Sequence, residues 1–349
     1  MRAAIGAAQA GPVDLHGPKE IEMATRRPRG HRAPGLVLLA GAALALALPC
    51  SAPAAFPGAN GPIAFSWADR FEDEQGLTPS TLKLSIDLAR PGGHGRRSLR
   101  ACMQVEGQPD EGDCSIEYRS PAWSPDGRRL AFDAGSRLAV MRSDGTRFRL
   151  LPQHTPDDSE PAWSPGGDRL VFSGTNVAGG AADLYVLRLA TGRVRRLTTE
   201  GARLPAWSQR GRIAFTSGGS ASYPGTGTVF TIRPDGGGLR RLITRASDPA
   251  WSPRGARLVV VRRGGARTRL WTLRADGTRK QRMITPGADS PVLPTWSPDG
   301  RQIAYTGFEG NLLAQRLRDR RVRQVAPGGF GAERSFGAGA SDWRPLPRR

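Results

Sequence analysis

Pro121-Ala122-Trp123-Ser124-Pro125-Asp126-Gly127, followed by Leu130-Ala131-Phe132, is the stretch that decides the fold. It returns as Pro161-Ala162-Trp163-Ser164-Pro165-Gly166-Gly167 with Leu170-Val171-Phe172, and as Pro205-Ala206-Trp207-Ser208 with Ile213-Ala214-Phe215. It returns again as Pro249-Ala250-Trp251-Ser252-Pro253 with Leu258-Val259-Val260, and as Pro294-Thr295-Trp296-Ser297-Pro298-Asp299-Gly300 with Ile303-Ala304-Tyr305. A degenerate sixth copy is Asp342-Trp343-Arg344-Pro345. The six tryptophans stand 40, 44, 44, 45 and 47 residues apart, and only two of the eight in the chain fall off this period.

A period of this length is the signature of a repeat architecture. Short apolar runs bounded by turn residues read as buried strands. Each copy adds a third strand, such as Asp183 to Leu189, a tight turn such as Ala275-Asp276-Gly277, and a fourth strand, such as Arg193 to Thr198. Four antiparallel strands per copy are the blade of a β-propeller. The chain ends complete the count. Trp343 has no strands after it, whereas Ile63-Ala64-Phe65 and Leu82 to Ile86 have no Trp before them. The C-terminal segment is therefore expected to supply the inner strand of the first blade, which removes two open sheet edges. The expectation is an all-β, six-bladed propeller, four antiparallel strands per blade, spanning 56–349. A domain of that size buries about 75% of its unfolded surface, so no cofactor is needed to hold it together.

Composition fits this reading. The 45 Gly and 29 Pro call for many turns, and 38% hydrophobic residues is ordinary for a globular protein. Four His and three Cys argue against a His-rich metal site or a disulfide-dense scaffold. The formal charge is +20, and all but Lys19, Lys83 and Lys280 of the 51 basic residues are Arg. Such a bias matches the codon usage of a GC-rich genome, so the charge alone does not call for an anionic partner.

The N-terminus reads as a secretory signal: Arg26, Arg27, Arg29 and Arg32, an apolar run from Leu36 to Leu48, then Ser51-Ala52-Pro53-Ala54-Ala55. The run is short of the ~20 residues that span a bilayer. Residues 23–55 are thus expected to be a signal peptide, with a membrane anchor as the alternative. Residues 1–22 read as a mis-assigned extension before an initiator at Met23. Export makes Cys102 and Cys114 a disulfide candidate.

Trp-Ser-Pro-Asp-Gly followed by an Ile/Leu-Ala-Phe strand resembles the WD40-like (PD40) repeat of TolB-like six-bladed propellers, over about 60–349. The family's α/β domain, which precedes its propeller, is not expected in the residues before 60. The resemblance implies that the loops at one channel mouth receive protein partners.

The repeating Trp123, Trp163, Trp207, Trp251, Trp296 and Trp343 read as packing between blades. Asp126-Gly127 and Asp299-Gly300 read as turns, because no Asp-x-Asp-x-Asp-Gly calcium spacing surrounds them. The segments before each Trp differ more and carry acids unexpected in so basic a chain. Glu117, Asp158, Glu160, Arg203, Asp248, Asp289 and Asp342 are the candidate partner-binding rim; the competing reading is that these side chains hydrogen-bond loop backbone. Two further acidic stretches, Asp69 to Glu74 and Glu106, Asp110, Glu111 and Asp113, read as solvated loops. The arginines of the outer strands read as protection of blade edges.

The function expected is an exported, non-catalytic, monomeric propeller that binds a protein or peptide in the cell envelope or outside the cell. It is expected to use no cofactor, metal or nucleic acid, and to meet a membrane only through an uncleaved N-terminal segment. The alternative is a propeller hydrolase, lyase or lactonase with a carboxylate-bound metal at the channel mouth. Only His94 and His154 would remain for such chemistry, and no nucleophile elbow stands on a strand–turn–helix.

Overall fold

The computed structural model describes residues 55–71, 81–105, 117–176, 180–219, 224–283, 285, 290–307, 310–330 and 335–347. Six sheets form the ring, and no helix occurs among the described residues. Blades 2 to 6 each hold four antiparallel strands in sequence order. Their inner strands are Tyr118–Trp123, Asp158–Trp163, Arg203–Trp207, Ala246–Trp251 and Val292–Trp296. Blade 1 is the composite one. Ala59–Phe71 pairs with Thr81–Ala89 on one side and with the C-terminal Ser335–Leu346 on the other, Ile63 opposite Trp343. A two-residue strand, Gly329–Phe330, adds to the edge of that inner strand.

The six cores lie between blades, and each is built the same way. Ala122 and Ala131 of blade 2 face Trp163, Leu170 and Phe172 of blade 3. Ala206 and Ala214 of blade 4 face Trp251, Leu258 and Val260 of blade 5. Ala304 and Ala314 of blade 6 face Trp343, Ile63 and Phe65, which closes the ring. A strand presents alternate side chains to opposite faces. One face of each blade therefore carries the Trp, and the other presents Ala in blades 2, 4 and 6 and Ala with Val171 or Val259 in blades 3 and 5.

Two of the tryptophans also bond across the seam. Trp163 Nε1–H donates to the Ala122 carbonyl at 2.9 Å and Trp251 Nε1–H to the Ala206 carbonyl at 3.1 Å. The indole N–H of Trp207 is buried with no protein acceptor. Trp163→Phe should therefore cost about 1–3 kcal/mol more than Trp207→Phe, because it alone orphans a buried carbonyl. Paired denaturant titrations of the two variants check this, and equal losses would refute it.

Every inner strand is bulged. Between Arg119 and Ala122 three steps oppose two on the partner, Asp133 to Ala131, and the same slip recurs in the other five blades. In blades 2 to 6 the extra residue lies three before the Trp and is left-handed: Ser120, Glu160, Leu204, Asp248 and Leu293 have φ of 49° to 57°. None is Gly, so each costs about 1–2 kcal/mol. A bulge re-aims the strand and frees an N–H from the ladder, and that N–H meets the carboxylates described next.

Candidate functional site

The bulges bring acids and bulge amides together around the channel. Asp133 Oδ1 accepts the backbone N–H of Glu160, at 2.7 Å, and its Oδ2 accepts the Ser120 hydroxyl at 2.6 Å. One blade on, Glu160 Oε2 accepts the Leu204 N–H and the Ser173 hydroxyl, both at 2.6 Å. A carboxylate of one blade thus holds the strained residue of the next, twice in succession. Asp248 accepts the hydroxyl of Ser247, whose oxygen accepts the Gly225 N–H.

Asp133, Glu160 and Asp248 come from blades 2, 3 and 5, and the Glu160 charge acts on both of the others. Burial holds Asp133 well above the ordinary carboxylate range; the Ser120 bond opposes this, the Glu160 charge adds to it, and Arg119 opposes it. Burial also raises Asp248 to about 6, opposed by Ser247, reinforced by Glu160 and opposed by Arg203. Arg119 and Arg203 are half-buried at equivalent places, four residues before their Trp. The mouth is therefore a half-exposed basic pair above buried acids, with Glu117 ion-paired to Arg119.

The sequence-predicted rim divides accordingly. Glu117 and Arg203 are half-buried at the mouth. Asp158, Glu160, Asp248 and Asp342 are at most 4% exposed. Asp158 accepts the N–H groups of His154 and Thr155, at 2.8 and 2.9 Å, which ties down the loop before blade 3. Asp342 lies deeper, one residue before its Trp, and accepts the N–H groups of Trp123 and Trp343. Asp289, Cys114, Glu106, Asp110, Glu111, Asp113 and residues 23–54 lie outside the described residues, as do residues 72–74 of the first acidic stretch. Cys102 is in the strand Arg97–Val105, and its side chain lies outside the description. His94 is exposed in a turn of blade 1, and His154 packs 6.1 Å from Phe172.

Asp133 escaped the sequence reading. It follows the apolar run Leu130-Ala131-Phe132, where the other copies carry Ser66, Ser173, Thr216, Val261 and Thr306. One column past the apolar run, a carboxylate stands where four of the other five copies carry a hydroxyl.

The opposite end of the channel is closed. Phe56 belongs to the core between blades 2 and 3, and Ala55 to the core between blades 5 and 6. Those interfaces are diametrically opposed in a six-fold ring, so adjacent residues can reach both only on the axis. The chain then leaves for blade 1, Gly58 N–H donating to Pro298 O at 3.3 Å and Asn60 Oδ1 accepting the Asp299 N–H at 3.1 Å. Pro57, Pro125, Arg254 and Pro345 line a depression on this side.

Residues 111–291, just over half of the chain, match the family model of the TolB beta propeller domain, PD40. The chain belongs to that family. A stretch of 64 residues is 47% identical to the Tol-Pal system protein TolB of Coxiella burnetii, covering 17% of this chain and 14% of that one. A longer match, 26% identical over 285 residues, covers 74% of this chain and 90% of an uncharacterized protein of Agrobacterium fabrum. Among solved structures, TolB from Acinetobacter baumannii superposes with a TM-score of 0.58 at 18% identity, covering 80% of this chain and 67% of that one. A likeness at that identity is one of fold. The family's repeat accounts for the ring and the interblade tryptophans.

Proposed function

We propose that this propeller is exported and binds a protein or peptide partner, in the cell envelope or outside the cell, without catalysing a reaction. The observation that carries the reading is the asymmetry of the channel. One end is filled by Phe56, the first residue of the expected mature chain, whereas the other presents Glu117, Arg119 and Arg203, half-exposed, on strands held rigid by buried carboxylates. Loops and strand ends on a rigid scaffold are suited to recognition. Family membership and the match to a Tol-Pal system protein support a partner that is itself a protein. The direct contacts would be made by Glu117, Arg119 and Arg203. Asp158, Glu160 and Asp248 would act behind them, fixing their backbone, and Asp342 further down the channel.

The competing reading needs a carboxylate-bound metal at this mouth. Among the described residues no three His, Cys, Asp or Glu side chains are placed to hold one. The acids there face N–H and O–H donors, which favours binding over hydrolysis. Among the described residues no helix is long and apolar enough to cross a membrane.

The test is affinity capture from envelope extract at physiological salt, with the native protein and with an Arg119→Glu/Arg203→Glu variant as parallel baits. These positions are chosen because they are half-exposed; alanine at the buried acids would disturb the ring itself. A protein held by the native bait and lost by the variant is the expected result. Equal recovery of the same material by both baits would overturn the mouth as the site.

A further inference from the structure

Away from the channel, on the side of the turns between inner and second strands, a cleft of about 430 Å³ lies between blades 3 and 4. Arg169 and Arg195 line it from blade 3; Arg210, Arg212 and Arg233 line it from blade 4, with Asp235 beside them. The volume is within the usual range for small-ligand sites, about 300–1,000 Å³.

Edge protection does not account for this group. Only Arg195 is on an outer strand. Arg169 opens the second strand of blade 3, with its guanidinium 5.3 Å from the Trp207 ring. Arg210 and Arg212 flank the turn residue Gly211, which has φ 75°, and Arg233 follows the third strand of blade 4. Two blades thus converge five cations on one depression. Within it and beside it stand two acids, Asp235 and the exposed Asp168, whose Oδ2 is 3.5 Å from Arg169 Nε.

The guanidinium groups are held in place but not spent. Arg195 donates to the carbonyls of Pro234 and Asp235. Arg212 donates to Gly238 O at 2.9 Å and Arg210 to Arg254 O at 3.0 Å. Arg233 Nε meets Asp235 Oδ1 at 3.3 Å. Each guanidinium has five N–H donors, so most remain available. Neutral carbonyls orient three of the five forks, those of Arg195, Arg210 and Arg212, without cancelling their charge.

The sequence makes the same point. In blades 2 and 6 the turn after the Trp is Ser-Pro-Asp-Gly. There Asp126 and Asp299 accept the Ser124 and Ser297 hydroxyls at 2.6 Å and the following backbone N–H. Blade 4 has Gln209-Arg210 there and blade 5 Pro253-Arg254, but only Arg210 lines this cleft. Blade 4 gives up the carboxylate that stabilises the turn and places a cation facing the other four.

We infer that this cleft binds a ligand carrying two or more closely spaced phosphate groups. Arg forks match the oxygens of a phosphate bidentately. A single monovalent carboxylate would leave most of the charge uncompensated, whereas linked phosphates bring several charges within the reach of both blades. Because Arg stays protonated at all relevant pH values, the protein side of binding does not titrate.

The experiment is calorimetric titration of the protein with inorganic pyrophosphate at physiological salt. Three forms are compared: native, Arg210→Ala/Arg233→Ala, and Arg318→Ala/Arg323→Ala, whose arginines are exposed on blade 6. Melting curves check that all three are folded. The expected result is saturable binding at one site, weakened at least tenfold by the cleft pair and less than twofold by the blade 6 pair. Equal weakening by both pairs, or no saturation, would overturn the proposal and leave only diffuse attraction by a basic surface. A soluble glycerol-phosphate polymer and an oligoglutamate form further arms. Tighter binding of the polymer than of pyrophosphate points to a polymeric source, and equal binding to a small free anion. Tighter binding of oligoglutamate than of either would refute the phosphate assignment.

Discussion

Replacing Asp342 by alanine is expected to lower the free energy of unfolding by about 3–5 kcal/mol, through two backbone donors left without acceptors. The residue sits where the chain closes on itself. Its own strand, Ser335–Leu346, is the C-terminal piece that completes blade 1. One oxygen accepts the Trp123 N–H of blade 2 at 2.8 Å. The other accepts the Trp343 N–H at 2.8 Å and lies 3.4 Å from the Thr295 hydroxyl of blade 6. A single carboxylate therefore ties three blades at the seam. The corresponding positions in blades 2 to 5 are Ala122, Ala162, Ala206 and Ala250, so the ring accommodates a methyl there and the variant isolates the polar loss. Asp342→Asn keeps one acceptor and should lose about half as much. Because the seam joins the two ends of the chain, the loss should fall mainly on the unfolding rate if closure comes late in folding. Denaturant titration and unfolding kinetics of the two variants check both statements. A gain in stability from Asp342→Ala would mean that burying this acid, held well above the ordinary carboxylate range by its desolvation, costs more than its hydrogen bonds return.

The ring was legible because it is written six times. Trp at a fixed period, a small residue before it and an Ile/Leu-Ala-Phe run after it specify a blade with one Trp face and one Ala face, and the cores are built in that way. The inner-strand bulge was not legible. A left-handed position announces itself when it is Gly or Asn, and here it is Ser120, Glu160, Leu204, Asp248 and Leu293. One extra residue in a strand of period two changes which side chains face the neighbouring blade. A reading by proximity to the Trp therefore groups Asp158, Glu160 and Asp248 with Glu117 and Arg203, whereas the bulge and the loop hydrogen bonds take the three acids inside. The axial packing of Ala55 and Phe56 was hidden for another reason. Ala55 reads as the end of the small-residue cleavage stretch, and nothing local marks Phe56 as the partner of a core more than sixty residues downstream. Gln209-Arg210 was visible only as an imperfect repeat, although the departure supplies one of the five cations of the cleft.

Lowering the pH from about 7.5 to about 5 is expected to stabilise this protein, and Asp248→Asn is expected to remove part of that dependence. Asp248 is buried, and its pKa is raised from 3.8 in the unfolded chain to about 6. The folded state then keeps the proton over a range in which the unfolded state has lost it. Stability from this group is complete below the unfolded value and is lost as pH rises through about 6. Two units of difference correspond to about 3 kcal/mol. Asp133 and Asp342 are shifted in the same direction by burial, and Asp158 less strongly. The surface acids Asp126, Asp144, Asp168, Asp235, Asp276 and Asp319 are shifted the other way. Their contribution disappears as pH falls below the ordinary carboxylate value, so the optimum should fall between about 4 and 6. The groups that act on Asp248 are Ser247, Glu160 and Arg203. Asparagine keeps the acceptor for the Ser247 hydroxyl, removes the charge facing Glu160 and tolerates the φ of 52° found at this position. At pH 7.5 the variant should gain up to about 3 kcal/mol, roughly 5 °C in melting temperature for a chain of this length. At pH 5, between the two values, the gain should shrink to about half, and it should vanish only below about pH 4. Melting curves at both values decide the matter: a variant stabilised equally at both would place the gain in packing or backbone preference, and one destabilised at both would make the Asp248 carboxylate a net contributor to the ring.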